Sequence, residues 1–474
     1  MIYYKKPPFQ LHCRSLWLAM LLWIILPAHA AQAQDEKPNI VLILIDDMGW
    51  KDAGFMGSDF YETPHIDQLA KEGKVFTNAY AAAGNCAPSR ACLLSGQYTP
   101  RHGVYAVNST DRGPKEKMRL TPTPNSTVLP AENFTVAEAL KANGYATAMF
   151  GKWHLGGGAG TRPSDQGFDV GAEMKVPKEK EFKETNDPKG IYRITEDACA
   201  FMEAHKDGPF FLYVAHHATH MAIQAREEWY DHFGKKPKGT LHGDDRFAAM
   251  NAQMDDGVGQ LLEKINALGI ADRTLVIFMS DNGGLPRSSQ HPLRAFKGAY
   301  YEGGIRVPLI ARWPGKIKAG STTDIPVLNT DLYPTFVELA GGKLPTDKVL
   351  DGESLVEIFA GTGSSVRKPK FWFFPGYLDK ADPGARDTDF RTRPVTVVRK
   401  GDWKLLLYHE EWLLDGGRDR LSTNRAVELY NLRNDISEQH NLANDAIEKR
   451  DELLTDILAW HEQVDAKLPL TVKK

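Results

Sequence analysis

The strongest constraint on the fold is an alternation of two patterns. Apolar runs rich in Ile, Val and Leu recur along most of the chain, separated by stretches of helical periodicity. Asn39–Ile45 (NIVLILI) is apolar at every position after the first, which predicts a strand buried on both faces. Ala146–Phe150, Phe210–Val214, Thr274–Met279 and Pro308–Ala311 read the same way. Helical patterns cover Thr135–Asn143, Ile194–His205 and Ala248–Leu268, and Thr330-Asp-Leu-Tyr-Pro334 opens another, with proline tolerated in a first turn. Strands alternating with helices predict an α/β fold, a large mixed, mostly parallel sheet flanked by helices. Beyond Gly361-Thr-Gly-Ser-Ser365 the texture changes. Val395–Arg399 and Trp403–Tyr408 read as hairpin strands and Ala446–Val464 as an amphipathic helix, predicting a smaller C-terminal α+β domain.

The N-terminus reads as an export signal. Lys5, Lys6 and Arg14 precede an apolar run from Leu16 to Leu26, then Pro27 and the small-x-small triplets Ala28-His-Ala30 and Ala31-Gln-Ala33. The run is short for a bilayer, which takes about 20 apolar residues. The expected organisation is a signal peptide over 1–33, a catalytic domain over 34–365 and a C-terminal domain over 366–474. The mature protein is expected to be secreted or periplasmic, with no membrane association after cleavage. Charge is nearly balanced, 58 Lys+Arg against 61 Asp+Glu, a net of −3, which gives no footprint for nucleic acid. Export makes the cysteines informative. Cys13 leaves with the signal, so Cys86, Cys92 and Cys199 remain, an odd number in an oxidising compartment. One of them must be buried, paired between chains or chemically special.

In α/β sheets ligands sit beyond the carboxyl ends of the strands. The residues found there are Asp46-Asp47, Gly151-Lys152-Trp-His154, His216-His217-Ala-Thr-His220 and Ser280-Asp281-Asn282-Gly-Gly. His216 and His220 are four apart, a spacing open to zinc on a helix face. The carboxylates and amide instead suit a hard, oxygen-liganded cation such as Ca²⁺ or Mg²⁺.

The segment Cys86-Ala-Pro-Ser-Arg90-Ala-Cys92-Leu-Leu-Ser95-Gly96 resembles the signature of type I, formylglycine-dependent sulfatases, arylsulfatase-like members of the alkaline-phosphatase superfamily. The resemblance extends through Asp46-Asp47, Gly151-Lys-Trp-His-Leu-Gly156, Ser280–Gly284, Lys297-Gly-Ala-Tyr-Tyr-Glu-Gly-Gly-Ile-Arg-Val-Pro308, Leu429–Leu432 and Glu438–Leu442. It implies an alkaline-phosphatase-like fold and a sulfuric ester hydrolase. Cys86 would be the modified residue, oxidised to formylglycine by a formylglycine-generating enzyme, and its hydrate the nucleophile. Asp46, Asp47, Asp281 and Asn282, with the converted Cys86, would hold a divalent cation, most often Ca²⁺, with Mg²⁺ or Mn²⁺ as alternatives. Arg90 would pair with the nucleophile or sulfate, and Lys152 and Lys297 would bind sulfate oxygens. His154 would take the hydrate proton and His220 protonate the leaving alcohol.

Two departures stand out. Gln97 replaces a basic residue that often follows the signature. His220 lies in Ala-Thr-His-Met-Ala where the family more often shows Ala-Pro-His-x-Pro, leaving His216 and His217 as alternatives. The segment 285–294 lies between two site motifs and is expected to border the pocket, with Arg287, His291 and Arg294 facing a polyanionic substrate. The expected substrate is a sulfated carbohydrate. The rival readings are a phosphonate monoester or phosphodiester hydrolase of the same superfamily, and a glycan-binding protein whose Cys86 stays a thiol.

Overall fold

The computed structural model describes residues 37–176, 186–363 and 368–472. The expected signal peptide over 1–33 and the expected domain boundary at 365–366 lie outside these residues. Eight strands form the central sheet: β1 (Asn39–Ile45), β2 (Lys74–Phe76), β3 (Ala146–Gly151), β4 (Val170–Glu173), β5 (Phe210–Ala215), β6 (Thr274–Ser280), β7 (Leu309–Arg312) and β8 (Ser321–Thr323). Their order is β8-β2-β7-β6-β1-β5-β3-β4. All pairings are parallel except those of β7, which runs antiparallel to both β6 and β2. Sequence patterning groups this strand with the parallel ones. The connection over 281–308 is long enough for a crossover, but it holds no packed helix, only the four-residue helical turn Glu302–Ile305. Parallel neighbours are usually joined by a helix lying on the sheet, and without one the chain returns antiparallel to β6.

β1 shows how the pleat builds two cores. Ile40, Leu42 and Leu44 enter one cluster with residues of α2 (Cys86–Ser95), α3 (Val136–Ala142) and α6 (Leu332–Leu339). Val41, Ile43 and Ile45 enter the other with α1 (Pro64–Glu72), α4 (Ile191–Ala204) and α5 (Asp245–Ala267). Alternate side chains of one strand therefore bury against helices on opposite faces. Local chemistry sets the helix ends. The Thr135 hydroxyl accepts the Glu138 N–H at 3.2 Å and the Glu138 carboxylate accepts the Thr135 N–H at 2.7 Å, a capping box that starts α3. Gly96, at φ 67°, stops α2 in the left-handed region.

The C-terminal part is an antiparallel sheet of β9 (Lys370–Phe374), β10 (Val395–Lys400), β11 (Trp403–Tyr408) and β12 (Val427–Asn431), in that order, with α7 (Ile447–Gln463) packed on it. Phe371–Phe374 are core residues, and Trp372 Nε1 donates to Ala81 O at 2.7 Å, joining this sheet to the larger part. A buried charge network makes the same junction. Lys404 Nζ lies 2.9 Å from Glu302 Oε1 and 2.8 Å from Glu438 Oε1, all three side chains being buried. Cys92 and Cys199 are both free, Cys92 lying 3.4 Å from His102 Nε2 in the core. Among the described residues no helix is long and apolar enough to cross a membrane.

Candidate active site

The carboxyl ends of β1, β3, β5 and β6 converge, and α2 begins in front of them. The register places Ile45 of β1 beside Ser280 of β6, so the Asp46-Asp47 and Asp281-Asn282 turns meet directly. The Asp47 N–H donates to Asp281 Oδ1 at 3.1 Å, and Asn282 Nδ2 donates to Asp47 Oδ1 at 2.7 Å. Asp47 has φ 64° and His154 φ 65°, left-handed conformations that cost a non-glycine residue energy and persist where surrounding contacts enforce them. Gly151, at φ 104°, is required where it stands: a Cβ would lie 2.1 Å from Ala215 O as β3 hands over to Lys152.

Cys86 is the first residue of α2 and is buried. Helix N-termini present free N–H groups and positive potential to an anion. The Cys86 sulfur lies 2.9 Å from Lys297 Nζ and 3.6 Å from Asp47 Oδ1. Burial pushes its thiol pKa well up, as do Asp46 and Asp47, against Lys152 and Lys297. An unmodified Cys86 is thus a neutral thiol and a poor nucleophile.

Arg90, one turn further along α2, is fully buried. Its Nε and Nη2 lie 2.9 and 2.7 Å from Asp281 Oδ2, and Nη1 donates to Lys152 O at 2.8 Å. Lys152 Nζ sits 2.5 Å from Asp46 Oδ2, and Lys297 Nζ sits 2.6 Å from Asp47 Oδ1. Burial opposes ionisation of Asp46, but Lys152 and Arg90 hold its carboxyl well below the usual range. Burial pushes Asp281 up to about 6, opposed by Arg90 and reinforced by Asp46 and Asp47. The Lys297 loop is pinned on both sides: the Lys297 N–H donates to Gly284 O at 2.9 Å and the Gly298 N–H to Gly84 O at 2.7 Å.

Three histidines after β5 separate clearly. His216 is buried with neither ring nitrogen hydrogen-bonded, and burial pushes it down to about 3. The His217 ring bonds Met174 O at 2.5 Å. His220 alone faces the carboxylates, with Nε2 3.7 Å from Asp47 Oδ2 and a side chain 39% exposed. No helix forms over 216–220, so the zinc pair that the spacing left open is absent among the described residues. His154 is held down to about 3 by burial and by Lys152 and Arg90, and its Nδ1 has no hydrogen-bond partner.

The substrate-side expectations fare differently. Arg287 is paired with Asp244 and half-exposed, and His291 is exposed. Arg294 turns toward the C-terminal sheet. Its Nε donates to Gly384 O at 2.8 Å, its Nη1 to Glu438 O at 3.0 Å, and its guanidinium stacks 3.8 Å over Tyr301. It bridges to the C-terminal sheet and has those donors committed to protein. Gln97, the departure after the signature, donates to Val349 O at 2.7 Å and accepts from Asn133. It supports neither the acids nor Cys86. Two residues escape sequence reasoning. Arg391 donates from Nη1 to Lys297 O at 3.4 Å, a contact across 94 positions that no local pattern signals. Lys189 is buried to 1% exposure in the turn Pro188–Gly190, where no sequence motif marks it.

One oxygen or sulfur each from Asp46, Asp47, Cys86 and Asp281 falls within 4.8 Å of the others, a geometry that could hold an ion. Asn282 Oδ1 and Asp46 Oδ1 are buried without a hydrogen bond. Three carboxylates and an orphaned amide oxygen fit a hard cation.

The comparisons agree with this geometry. The Sulfatase family model matches residues 38–342, and that of the N-sulphoglucosamine sulphohydrolase C-terminal region matches 295–463. A sulfatase of Formosa agariphila is 33% identical over 494 residues, covering 86% of this chain and 85% of its own. Human arylsulfatase A is 33% identical over 474 residues, covering 88% and 86%. Among solved structures, Ps i-CgsB, also seen in complex with k-i-k-neocarrahexaose, superposes with a TM-score of 0.71 at 29% identity, over 90% of this chain and 93% of that one. A match through the whole strand-end cluster and on into the C-terminal sheet leaves one assignment: the chain belongs to the sulfatase family and is a sulfuric ester hydrolase.

Proposed function

We propose that this sulfatase is an exported enzyme that removes sulfate from a sulfated carbohydrate, using Cys86 converted to formylglycine and a divalent cation. The observation that carries the reading is the setting of Cys86: a buried sulfur 2.9 Å from Lys297 Nζ and 3.6 Å from Asp47 Oδ1, opening a helix. That setting suppresses a thiolate while surrounding position 86 with groups suited to a hydroxylated side chain and an anion.

Hydrated formylglycine supplies two geminal hydroxyls, one to attack sulfur and one whose deprotonation expels sulfate as the aldehyde re-forms. Asp46, Asp47, Asp281 and Asn282 would hold the cation, which supplies positive charge against the developing negative charge on sulfate oxygens. Ca²⁺ fits the oxygen donors, as do Mg²⁺ and Mn²⁺. Arg90 fixes Asp281 by its two contacts and keeps that carboxylate ionised beside two others. Lys152 and Lys297, anchored on Asp46 and Asp47, grip sulfate oxygens as point charges. His154, neutral at physiological pH with a free Nδ1, is the base for the second hydroxyl. His220 is the most exposed of the group and stands on the leaving-group side as proton donor to the alcohol. An arriving sulfate raises its proton affinity by adding negative charge nearby.

The carbohydrate assignment rests on relatives such as the mouse N-acetylgalactosamine-6-sulfatase, and export rests on the sequence pattern over 1–33. The test is turnover by protein made alongside a formylglycine-generating enzyme. Sulfated sugars and an aryl sulfate should be cleaved faster than a phosphonate monoester or a phosphodiester, and Cys86→Ala should abolish turnover at an unchanged Tm. Faster phosphonate or phosphodiester cleavage would overturn the reading, as would an active Cys86→Ala variant.

A further inference from the structure

Lys189 has a surrounding unlike that of any other buried lysine among the described residues. Lys74 donates to Ile358 O at 2.9 Å, Lys297 pairs with Asp47, Lys370 with Glu353 and Lys404 with Glu302 and Glu438. Lys189 is just as buried, and among the described residues its ammonium has neither a hydrogen bond nor an ion pair. Burying an unpaired cation is costly, so a fold that retains one keeps it for a partner that comes and goes.

The backbone holds that lysine deliberately. Lys189 has φ 61° and Gly190 φ 67°, two successive left-handed residues immediately before α4. A lysine in that region is strained, and four contacts on either side of it hold the turn. The Asp187 carboxylate caps the helix, accepting the Tyr192 N–H at 2.9 Å and the Arg193 N–H at 3.0 Å. Arg226 Nε donates to Asn186 O at 2.8 Å, and its guanidinium stacks 3.8 Å over Tyr192. The turn is thus clamped from both sides.

Its place in the fold is the strand-end face. The first turn of α4 packs behind the site: a Cβ on Gly151 would lie 3.2 Å from Ile194 Cδ1, and one on Gly257 would lie 2.8 Å from Ile191 Cγ2 and 3.9 Å from the His216 ring. Burial acts most strongly on the Lys189 ammonium, and the charged groups that act on it after burial belong to the site: Asp46 and Asp47 favour its charge and Lys152 opposes it. Burial lowers its pKa to about 8, so at neutral pH it remains mostly charged.

We propose that Lys189 is an anion-binding residue of this site, taking a sulfate or carboxylate oxygen of the substrate that Lys152 and Lys297, anchored on Asp46 and Asp47, leave unmatched. The inference rests on the sulfatase reading. The oxygen belongs either to the scissile sulfate or to a second anionic group on the sugar, and the two sources separate by experiment.

Lys189→Met and Lys189→Arg are made both in the active enzyme and in Cys86→Ala protein, where ligands bind without turnover. Calorimetry then measures inorganic sulfate, an aryl monosulfate and a disulfated monosaccharide. If Lys189 holds the scissile sulfate, Lys189→Met weakens all three by about tenfold or more, the loss expected for one charge-assisted hydrogen bond, and Lys189→Arg recovers part of it. If it holds a second group, only the disulfated ligand weakens, and in active enzyme KM rises for that substrate alone. Tm of Lys189→Met should equal or exceed that of the parent, because an unpaired buried charge has been removed. Affinities within twofold of the parent for all three ligands would overturn the proposal, as would a Tm that falls by several degrees. Failure of the sulfatase reading looks different: the parent enzyme itself would show no sulfate-ester turnover.

Discussion

Lys404→Met tests whether the C-terminal sheet holds the site together. The ammonium lies between two buried carboxylates, 2.9 Å from Glu302 and 2.8 Å from Glu438, at zero exposure for all three side chains. Glu438 also accepts the Glu302 N–H at 2.6 Å, and Glu302 accepts the Tyr80 hydroxyl at 2.7 Å and Arg306 Nη1 at 3.2 Å. Glu302 follows Lys297 by five positions in the same pinned segment. Removing the ammonium leaves two like charges in the interior with only Arg306 and Arg399 to offset them, a change that costs about 3–5 kcal/mol. With an unfolding entropy of roughly 2.1 cal/mol/K per residue over about 440 residues, that corresponds to a Tm lower by about 3–5 °C. Burial pushes the Glu438 pKa up against Lys404, and Glu302 pushes it further, so the variant should relax by protonating Glu438. Lys404→Met/Glu438→Gln should therefore recover at least about 1 kcal/mol of the loss. Thermal unfolding followed by circular dichroism gives Tm, and sulfate release gives kcat/KM, expected to fall because the Lys297 segment loses its anchor. A single variant within 1 °C of wild type by the same entropy argument, or a double variant no more stable than the single, would refute the reasoning.

Two further outcomes are expected. Added Ca²⁺ should raise Tm and a chelator should lower it and abolish turnover, since about 100-fold saturation of a native-state site adds about 2.7 kcal/mol; a Tm indifferent to both would argue against the carboxylate cluster as a cation site. Stability should fall in acid through His216, His102 and His461, held down to about 3, 3 and 4, chiefly by burial. Each binds a proton more readily when unfolded, so its contribution is complete above pH 6.5 and is lost as pH falls toward the folded value. Between pH 7 and 5 this costs about 2 kcal/mol per histidine, and His216→Phe should flatten the profile measured by urea unfolding.

Much of the site was legible because parallel sheets expose residues at their carboxyl ends. Reading past the strands that begin at Asn39, Ala146, Phe210 and Thr274 found Asp46, Asp47, Lys152, His154, Asp281, Asn282 and the histidine group without further help. Cys86, Arg90 and Lys297 lie on no such strand and emerged only through the family signature. The choice among His216, His217 and His220 needed the path of the chain after β5, which their spacing does not encode. The short strands at 74–76, 170–173 and 321–323 escaped because three or four residues of mixed polarity carry no period. Arg294 and Lys189 sit where local sequence carries no signal of burial. A charged residue in a loop reads as exposed, yet Arg294 packs between the two sheets and Lys189 is buried in a clamped turn. The Glu438 motif was recognised as a resemblance, but its work became visible only with Lys404 and Glu302 beside it.

The central claim is the chemistry at position 86, and mass spectrometry addresses it directly. Protein is produced in its native host or with a formylglycine-generating enzyme, and the tryptic peptide Val75–Arg90 is weighed without alkylation. The account predicts a peptide that has lost the sulfur of Cys86 and carries an aldehyde or its hydrate. An intact thiol, in a host shown to convert a control sulfatase, would contradict it.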